Sequence, residues 1–402
     1  MTISLGATWV ESARSICRLA VPLAGTQLAQ VAVGTISIVL LGSLGATELA
    51  GGGLGMMLFN LARTMGVGLT TGTANLIARA DARGESADVS RLAGAGGTIA
   101  TVAGVSFAAF LVVLAPLLGY FGQDPAVVSF ATRFLIAAAV GLIPCFWFNV
   151  QRNVAVGLGK PGPVLLITLI AIGVHACVAV PLSRGLFGLP ALGAVGVALA
   201  QTLTHTTTCF LLAAFLRRSS KTKIRWARAL PSDLRKTLSL GVPTALAYGS
   251  EAGFFTVIGL LVGTFGATAL AAHNVVNHVV YIVFMLAIGL SHGTSVVASR
   301  ARAVGDYNGL RLCGHTGLVL GVALALVIGM LELVAPRVVL WPFTRDYEDA
   351  ELIEIARHML AIAVCFQAFD NAQNVAGALL RALHRPRVTL MMTLIGYWFV
   401  GL

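Results

Sequence analysis

The sequence predicts an all-α polytopic membrane protein built from two homologous six-helix lobes in the same orientation. Three observations carry this. Mean hydropathy is +0.88 and only 11% of the residues are charged, against roughly 25% in a soluble domain. The chain repeats itself without a gap at an offset of 221 residues. Its basic residues gather on alternate loops between apolar segments, as they do where the cytoplasmic side of a membrane protein holds its positive charge.

The repeat is legible residue by residue. Pro22 and Gly42-x-x-Gly45-Ala46-Thr47-x-Leu49-Ala50 recur as Pro243 and Gly263-x-x-Gly266-Ala267-Thr268-x-Leu270-Ala271. The same shift pairs Gly68-Leu69 with Gly289-Leu290 and Gly72-Thr73 with Gly293-Thr294. It pairs Arg79-Ala80 with Arg300-Ala301, Gly84 with Gly305, and Asn153-Val154-Ala155 with Asn374-Val375-Ala376. Parallel repeats of this kind are a common build for secondary transporters, with the substrate path between the halves.

A helical span needs about 20 predominantly apolar residues. Eleven segments qualify: 15–42, 49–79, 92–119, 127–156, 162–183, 189–216, 238–264, 270–299, 309–334, 351–380 and 387–402. All are rich in Gly, Ala, Leu and Val, which suits helices that pack closely with no water to drive them together. None shows the alternating ten-residue pattern of a membrane strand. The N-lobe is thus 1–216 with six spans, 217–237 is a basic linker, and the C-lobe is 238–402. Past span ten the repeat offset becomes 225, pairing Pro386 with Pro161 and Leu402 with Cys177 in mid-span. On that reading a C-terminal part of the second lobe, the end of its fifth span and all of its sixth, is missing.

With the N-terminus inside, the cytoplasmic segments hold Arg14, Arg18, Arg79, Arg83, Arg91, Arg152, Lys160, Arg300, Arg302, Arg311, Arg381, Arg385 and Arg387. They also hold the linker cluster Arg217, Arg218, Lys221, Lys223, Arg225, Arg228, Arg235 and Lys236. The opposite side holds Arg133, Arg184, Arg337, Arg345 and Arg357, and Arg63 alone lies well inside a span. That distribution places the N-terminus in the cytoplasm and explains the net charge of +11 without nucleic acid. The acidic residues Glu48, Asp124, Asp346, Glu348 and Asp349 fall on the outer loops. The stretch before the first span lacks the small-residue cleavage site of a secretory signal.

Several chemistries lose ground. The six cysteines, Cys17, Cys145, Cys177, Cys209, Cys313 and Cys365, are scattered through apolar segments with no paired spacing and read as small buried hydrophobes. There is no phosphate-binding loop, and the Gly51-Gly52-Gly53 run reads as helix packing. No nucleophile lies beside a base, so no catalytic residue and no cofactor are assigned and an enzyme is not expected.

Buried carboxylates are the sharpest signal, because burying a charge in hydrocarbon costs several kcal/mol. Glu251 sits near the middle of span seven and Asp370 inside span ten, in Phe366-Gln367-Ala368-Phe369-Asp370-Asn371-Ala372-Gln373-Asn374. Their repeat partners are Gln30 and Asn149, polar groups that do not titrate. Two such carboxylates can exchange a proton, or with amide and carbonyl oxygens form a hard-oxygen site for a small cation. Glu332, near the end of span nine, reads as an interfacial group. His273 and His278, with Asn274 and Asn277, lie about a turn apart on span eight and could relay a proton or touch a substrate; no thiolate or nearby carboxylate completes a metal site there.

These residues resemble the MATE (multidrug and toxic compound extrusion) family, in its NorM-like bacterial branch. The resemblance rests on Pro22…Gln30…Gly34…Gly42-x-x-Gly45 with Leu49-Ala50, and on its counterpart Pro243…Glu251…Gly263-x-x-Gly266…Leu270-Ala271. It rests most on Phe366-Gln367-Ala368-Phe369-Asp370-x-x-Gln373, followed by Leu380-Arg381 and Tyr397-Trp398-x-x-Gly401-Leu402. It implies a V-shaped bundle of twelve helices whose cleft faces each side in turn. It also implies export of amphipathic or cationic drugs against Na⁺ or H⁺, from the inner membrane, and the fold needs no partner, so a monomer is expected. The coupling cation would bind Glu251 and Asp370, with Gln373, Asn374, Gln30, Ser37, His273 and Asn277 as neighbours and Phe284 where the family can place an aromatic beside the ion. The chain departs from the family twice: Ser37 stands where the first helix usually holds an Asp, and Phe366 where an aromatic hydroxyl often precedes the second acid.

Two further readings stand beside the antiporter. One is a flippase for lipid-linked saccharides, which shares the superfamily fold but tends to line its cavity with several basic residues. The other is an inactive truncated fragment.

Overall fold

The computed structural model describes residues 8–121, 125–219, 227–344 and 350–401. Lys221, Lys223, Arg225, Asp124, Arg345, Asp346, Glu348 and Asp349, all used above to orient the chain, lie outside the described residues. The described chain runs α1 (Trp9–Leu44), α2 (Ala46–Ala82), α3 (Ser86–Leu117), α4 (Pro125–Ala139), α5 (Leu142–Gly157), α6 (Gly162–Arg184) and α7 (Gly193–Ser219). It continues through α8 (Pro231–Gly263), α9 (Ala267–Ala303), α10 (Tyr307–Val334), α11 (Pro336–Thr344), α12 (Ala350–Ala382) and α13 (Pro386–Leu394). α13 passes into a π-helical turn, Ile395–Val400.

The repeat governs the helix ends. α2 and α9 are both 37 residues long and begin 221 positions apart, as do α3 and α10. Each of the long second helices starts after a glycine with positive φ, Gly45 at 143° and Gly266 at 113°, a conformation that side chains with a Cβ rarely adopt. The turns that follow use Gly84 at 74° and Gly305 at 76°.

The expectation of eleven spans is not borne out. Among the described residues seven helices are long and apolar enough to cross a membrane, or eight if α4 and α5, bent by 47°, form one span. α2, α8 and α13 fall outside that set. α2 carries Asn60, Arg63, Thr70, Thr71, Thr73 and Asn75; α8 opens with Asp233, Arg235 and Lys236; α13 is only nine residues long. Nor is the expected missing C-terminal part borne out.

The helices fall into two compact units, Ala29–Gly249 and the pair of segments Met1–Leu28 with Ser250–Leu402. The unit boundary cuts α1 after Leu28 and α8 after Gly249, and 249 − 28 = 221, the repeat offset. Within Ala29–Gly249 the core packs around Phe59, Phe134, Leu135, Leu142 and Phe146, all fully buried. Within the other unit α9 and α12 share a core of Ala272, Val275, Val276, Leu352, Ala356 and Leu360, with Leu340 of α11 against it.

Each unit is also clasped by a glycine. Gly68 of α2 lies against the backbone of Ala245 in α8, and Gly289 of α9 against the backbone of Ala24 in α1. Both the glycines and their alanine partners are 221 residues apart. Each repeat therefore packs its second helix on the first helix of the other repeat, at contacts so close that a Cβ would not fit.

Candidate functional site

Three elements of the second unit converge on the predicted acids. α8 supplies Glu251, α12 supplies Asp370, Gln373 and Asn374, and the π-helical turn supplies Tyr397. A π turn carries an extra residue, which re-aims its side chains. The turn is tied to α8 by Trp398, whose Nε1 donates to Ser250 Oγ at 2.8 Å.

Asp370 is 5% exposed. Its Oδ1 accepts from Asn374 Nδ2 at 3.3 Å, and the same amide donates to the Asp370 backbone carbonyl at 2.9 Å. Glu251 lies close enough to Asp370 for the two carboxyl groups to act on each other electrostatically, and its carboxyl hydrogen-bonds with the Tyr397 hydroxyl. That hydroxyl also accepts from Gln373 Nε2 at 3.2 Å. Glu251 Oε1 is buried with no hydrogen-bond partner.

Aromatic rings wall the site. Tyr397 packs on Phe254 with ring centroids 4.8 Å apart and lies 6.2 Å from Phe255; Phe255 meets Phe366 edge-on at 5.9 Å. The arrangement is two carboxylates, a hydroxyl and two amides in apolar surroundings. Two like charges in such a place repel, and a single positive charge relieves both the repulsion and the desolvation. The oxygen donors are of the hard kind that suits a proton or a small alkali cation. Among the described residues no Lys or Arg is hydrogen-bonded to either acid, and no group of three His, Cys, Asp or Glu is arranged for a metal.

The remaining predicted residues lie elsewhere. Gln30 and Ser37 belong to the unit Ala29–Gly249. Gln30 Oε1 accepts from Arg63 Nη1 at 3.4 Å, and Arg63 Nε reaches Asn60 Oδ1 at 3.2 Å. Ser37 is fully buried, with its Oγ 2.8 Å from His175 Nε2; His175 Nδ1 lies 3.2 Å from Thr204 Oγ1. His273 and Asn277 lie on α9 with Phe284, whose ring stacks on Tyr281 at 6.4 Å. No hydrogen bond or ring contact joins these three to the acids among the described residues.

Glu332 is a correction. It is 1% exposed rather than interfacial, because α12 covers it and Gln367 Nε2 donates to both its oxygens at 3.2 and 3.1 Å. Sequence reasoning also missed Tyr397 as a site residue. Its signal was present in the Tyr397-Trp398 pair, but nothing in the sequence shows a π turn aiming that hydroxyl at Glu251. It missed His175 as well, a lone histidine in an apolar run whose partners lie on two other helices.

The MatE family pattern matches residues 22–180 and 243–402. The chain belongs to the MatE family. Both acids, Gln373, Asn374 and Tyr397 fall within the second match. Relatives of this MatE chain include the probable multidrug resistance protein NorM of Pseudomonas aeruginosa, 32% identical over 96% of this chain and 81% of the relative. The multidrug resistance protein NorM of Burkholderia vietnamiensis is 32% identical over 96% of this chain and 84% of its own length. Among solved structures, an outward-facing multidrug resistance MATE family transporter matches with a TM-score of 0.88 at 18% identity, over 96% of this chain and 86% of that one. A eukaryotic MATE transporter matches with a TM-score of 0.88 at 16% identity, over 97% and 87%. The MatE fold and the apolar helices make this chain a multi-pass membrane protein.

Proposed function

We propose that this chain is a multidrug efflux antiporter of the bacterial inner membrane, N-terminus cytoplasmic, which exports lipophilic organic cations by alternating access in exchange for Na⁺ or H⁺. The observation that carries the reading is the Glu251–Asp370 pair, in which Asp370 is buried and the buried Oε1 of Glu251 has no hydrogen-bond partner among the described residues. The names of the NorM relatives support the drug-export part.

The mechanism follows from differential binding. A cation between Glu251 and Asp370 stabilises the conformation that holds the two carboxylates together. Drug binding favours the opposite-facing conformation, so each ligand's gradient moves the other. Asn374 and Tyr397 hold the acids in place; the aromatic wall keeps water from shorting the exchange. In this reading the protein acts as a monomer.

The test is efflux of a fluorescent organic cation of the ethidium type from proteoliposomes, with Na⁺ and pH gradients imposed separately. Wild type exports along one of the two gradients, and Glu251→Gln and Asp370→Asn lose coupled export. Unimpaired coupled export in both variants removes the assignment of the pair; export indifferent to both gradients removes the antiporter reading.

A further inference from the structure

Glu332 is a buried carboxylate that the Glu251–Asp370 mechanism leaves unused. It stands two residues before the end of α10, and among the described residues its side chain is hydrogen-bonded by one group, the amide of Gln367 on α12. Gln367 is itself 3% exposed, and its Oε1 is buried with no partner. α10 and α12 pack along their lengths: Gly329 lies against Val364, and Gly321 against Val375 and Asn371. Gln367 therefore sits between two acids. Glu332 lies across the helix interface, and Asp370 is three residues on, one turn along the same face of α12.

A buried carboxylate held by one neutral amide is poorly compensated. Among the described side chains the oxygens at hand are the two of Glu332 and Oε1 of Gln367, a sparse set for replacing the water shell of Na⁺. A proton fits. Protonated Glu332 needs an acceptor for its O–H, and the unpartnered Gln367 Oε1 supplies one if the amide turns over. Each protonation state thus selects one amide orientation: nitrogen towards the carboxylate, oxygen towards the carboxylic acid. Among the described residues the hydrogen bonds to the Glu332 carboxyl come from the Gln367 side chain, and the nearest acid on α12, Asp370, stands three positions on from Gln367.

We propose that Glu332 is a second protonation site, exchanging a proton with water during the transport cycle, and that Gln367 transmits its state to Asp370 by turning its amide. The proposal rests on the coupled-transport reading above. No bond other than the O–H forms or breaks.

The test is infrared difference spectroscopy of the full chain in lipid across pH, beside exchange measurements in proteoliposomes. Wild type shows a protonated-carboxyl band that titrates, and Glu332→Gln loses that band and one step of the pH profile of exchange while still binding drug. Gln367→Leu keeps the band but shifts its frequency, because the acid loses its acceptor. A spectrum and pH profile unchanged in Glu332→Gln overturn the proposal, as does an unshifted band in Gln367→Leu. Glu251→Gln and Asp370→Asn retain the Glu332 band, so failure of the coupling reading shows in their exchange rates and failure of this one in the spectrum.

Discussion

Removing one oxygen atom tests the acidic site with little disturbance to the fold. In Tyr397→Phe the ring keeps its place against Phe254 and Phe255, 4.8 and 6.2 Å away by centroid. Two hydrogen bonds go. The bond from Gln373 Nε2 is between neutral groups and worth about 0.5–1.5 kcal/mol; Gln373 is exposed, so its amide finds other partners and most of that is recovered. The bond to the Glu251 carboxyl joins a donor to a charged acceptor and is worth about 1.5–3 kcal/mol.

The second loss is not recovered, because Glu251 Oε1 already lacks a partner. It falls on the cation-free state, in which the carboxylate depends on the hydroxyl; with a cation bound, the oxygen lone pairs are engaged elsewhere. The cation-free state therefore rises by about 1.5–3 kcal/mol, and cation affinity rises by roughly tenfold to a hundredfold. Since the cation must leave in every cycle, turnover falls. The assay is cation binding to purified protein by titration calorimetry, beside exchange in proteoliposomes and a thermal midpoint as the folding control. A folded variant with unchanged or weaker cation binding refutes the reasoning.

Two other expectations bear on the scaffold. Gly68→Ala places a Cβ 2.7 Å from Ala245 Cα, and Gly289→Ala places one 2.5 Å from the Ala24 nitrogen, so each loses about 1–3 kcal/mol of stability to overpacking. Thermal midpoints in detergent check this, and wild-type values in both would count against the close helix crossing. His175→Leu breaks the contacts to Ser37 and Thr204, but both hydroxyls keep backbone acceptors, Val33 O at 3.2 Å and Ala200 O at 2.7 Å. The loss is about 1–2 kcal/mol in the midpoint with cation coupling retained; lost coupling at full stability would mean that the buried histidine belongs to the mechanism.

Much of the fold was legible because duplication writes it twice. A glycine needed for a positive φ at 45 is needed again at 266, and one needed for a close crossing at 68 is needed again at 289, so chance matches are filtered out. The acids were legible for a different reason: in an apolar helix a carboxylate stands out by its cost alone. Partners were harder to see. Hydroxyls, amides and rings are cheap to bury, so Tyr397, Gln367 and His175 leave no compositional trace, and their roles come from helix rotation and a π turn that hydropathy does not encode. Counting spans failed on the same ground, since the polar Asn60, Arg63 and Asn75 of α2 lower its hydropathy below the level of its neighbours.

The two halves share a frame but not a chemistry, and the hydrogen bonds show where they part. Asn153 Nδ2 donates to the carbonyl of Thr70 at 2.8 Å, and its repeat partner Asn374 donates to Asp370 at the backbone and at Oδ1. Gln30 receives the guanidinium of Arg63, whereas its partner Glu251 receives a neutral hydroxyl. Asn149 turns back onto its own helix, donating to the Cys145 carbonyl at 2.9 Å, whereas its partner Asp370 lies beside a second acid. A permanent cation already occupies the polar centre of the first half, and small positive ions are repelled from it. In the second half the two carboxyl groups stand side by side with no Lys or Arg bonded to either among the described residues, which leaves room for a mobile positive charge. On the coupled-transport proposal, a duplicated scaffold that keeps one half permanently charged and the other exchangeable confines ion exchange to the second half, where Glu251, Asp370 and Glu332 all lie.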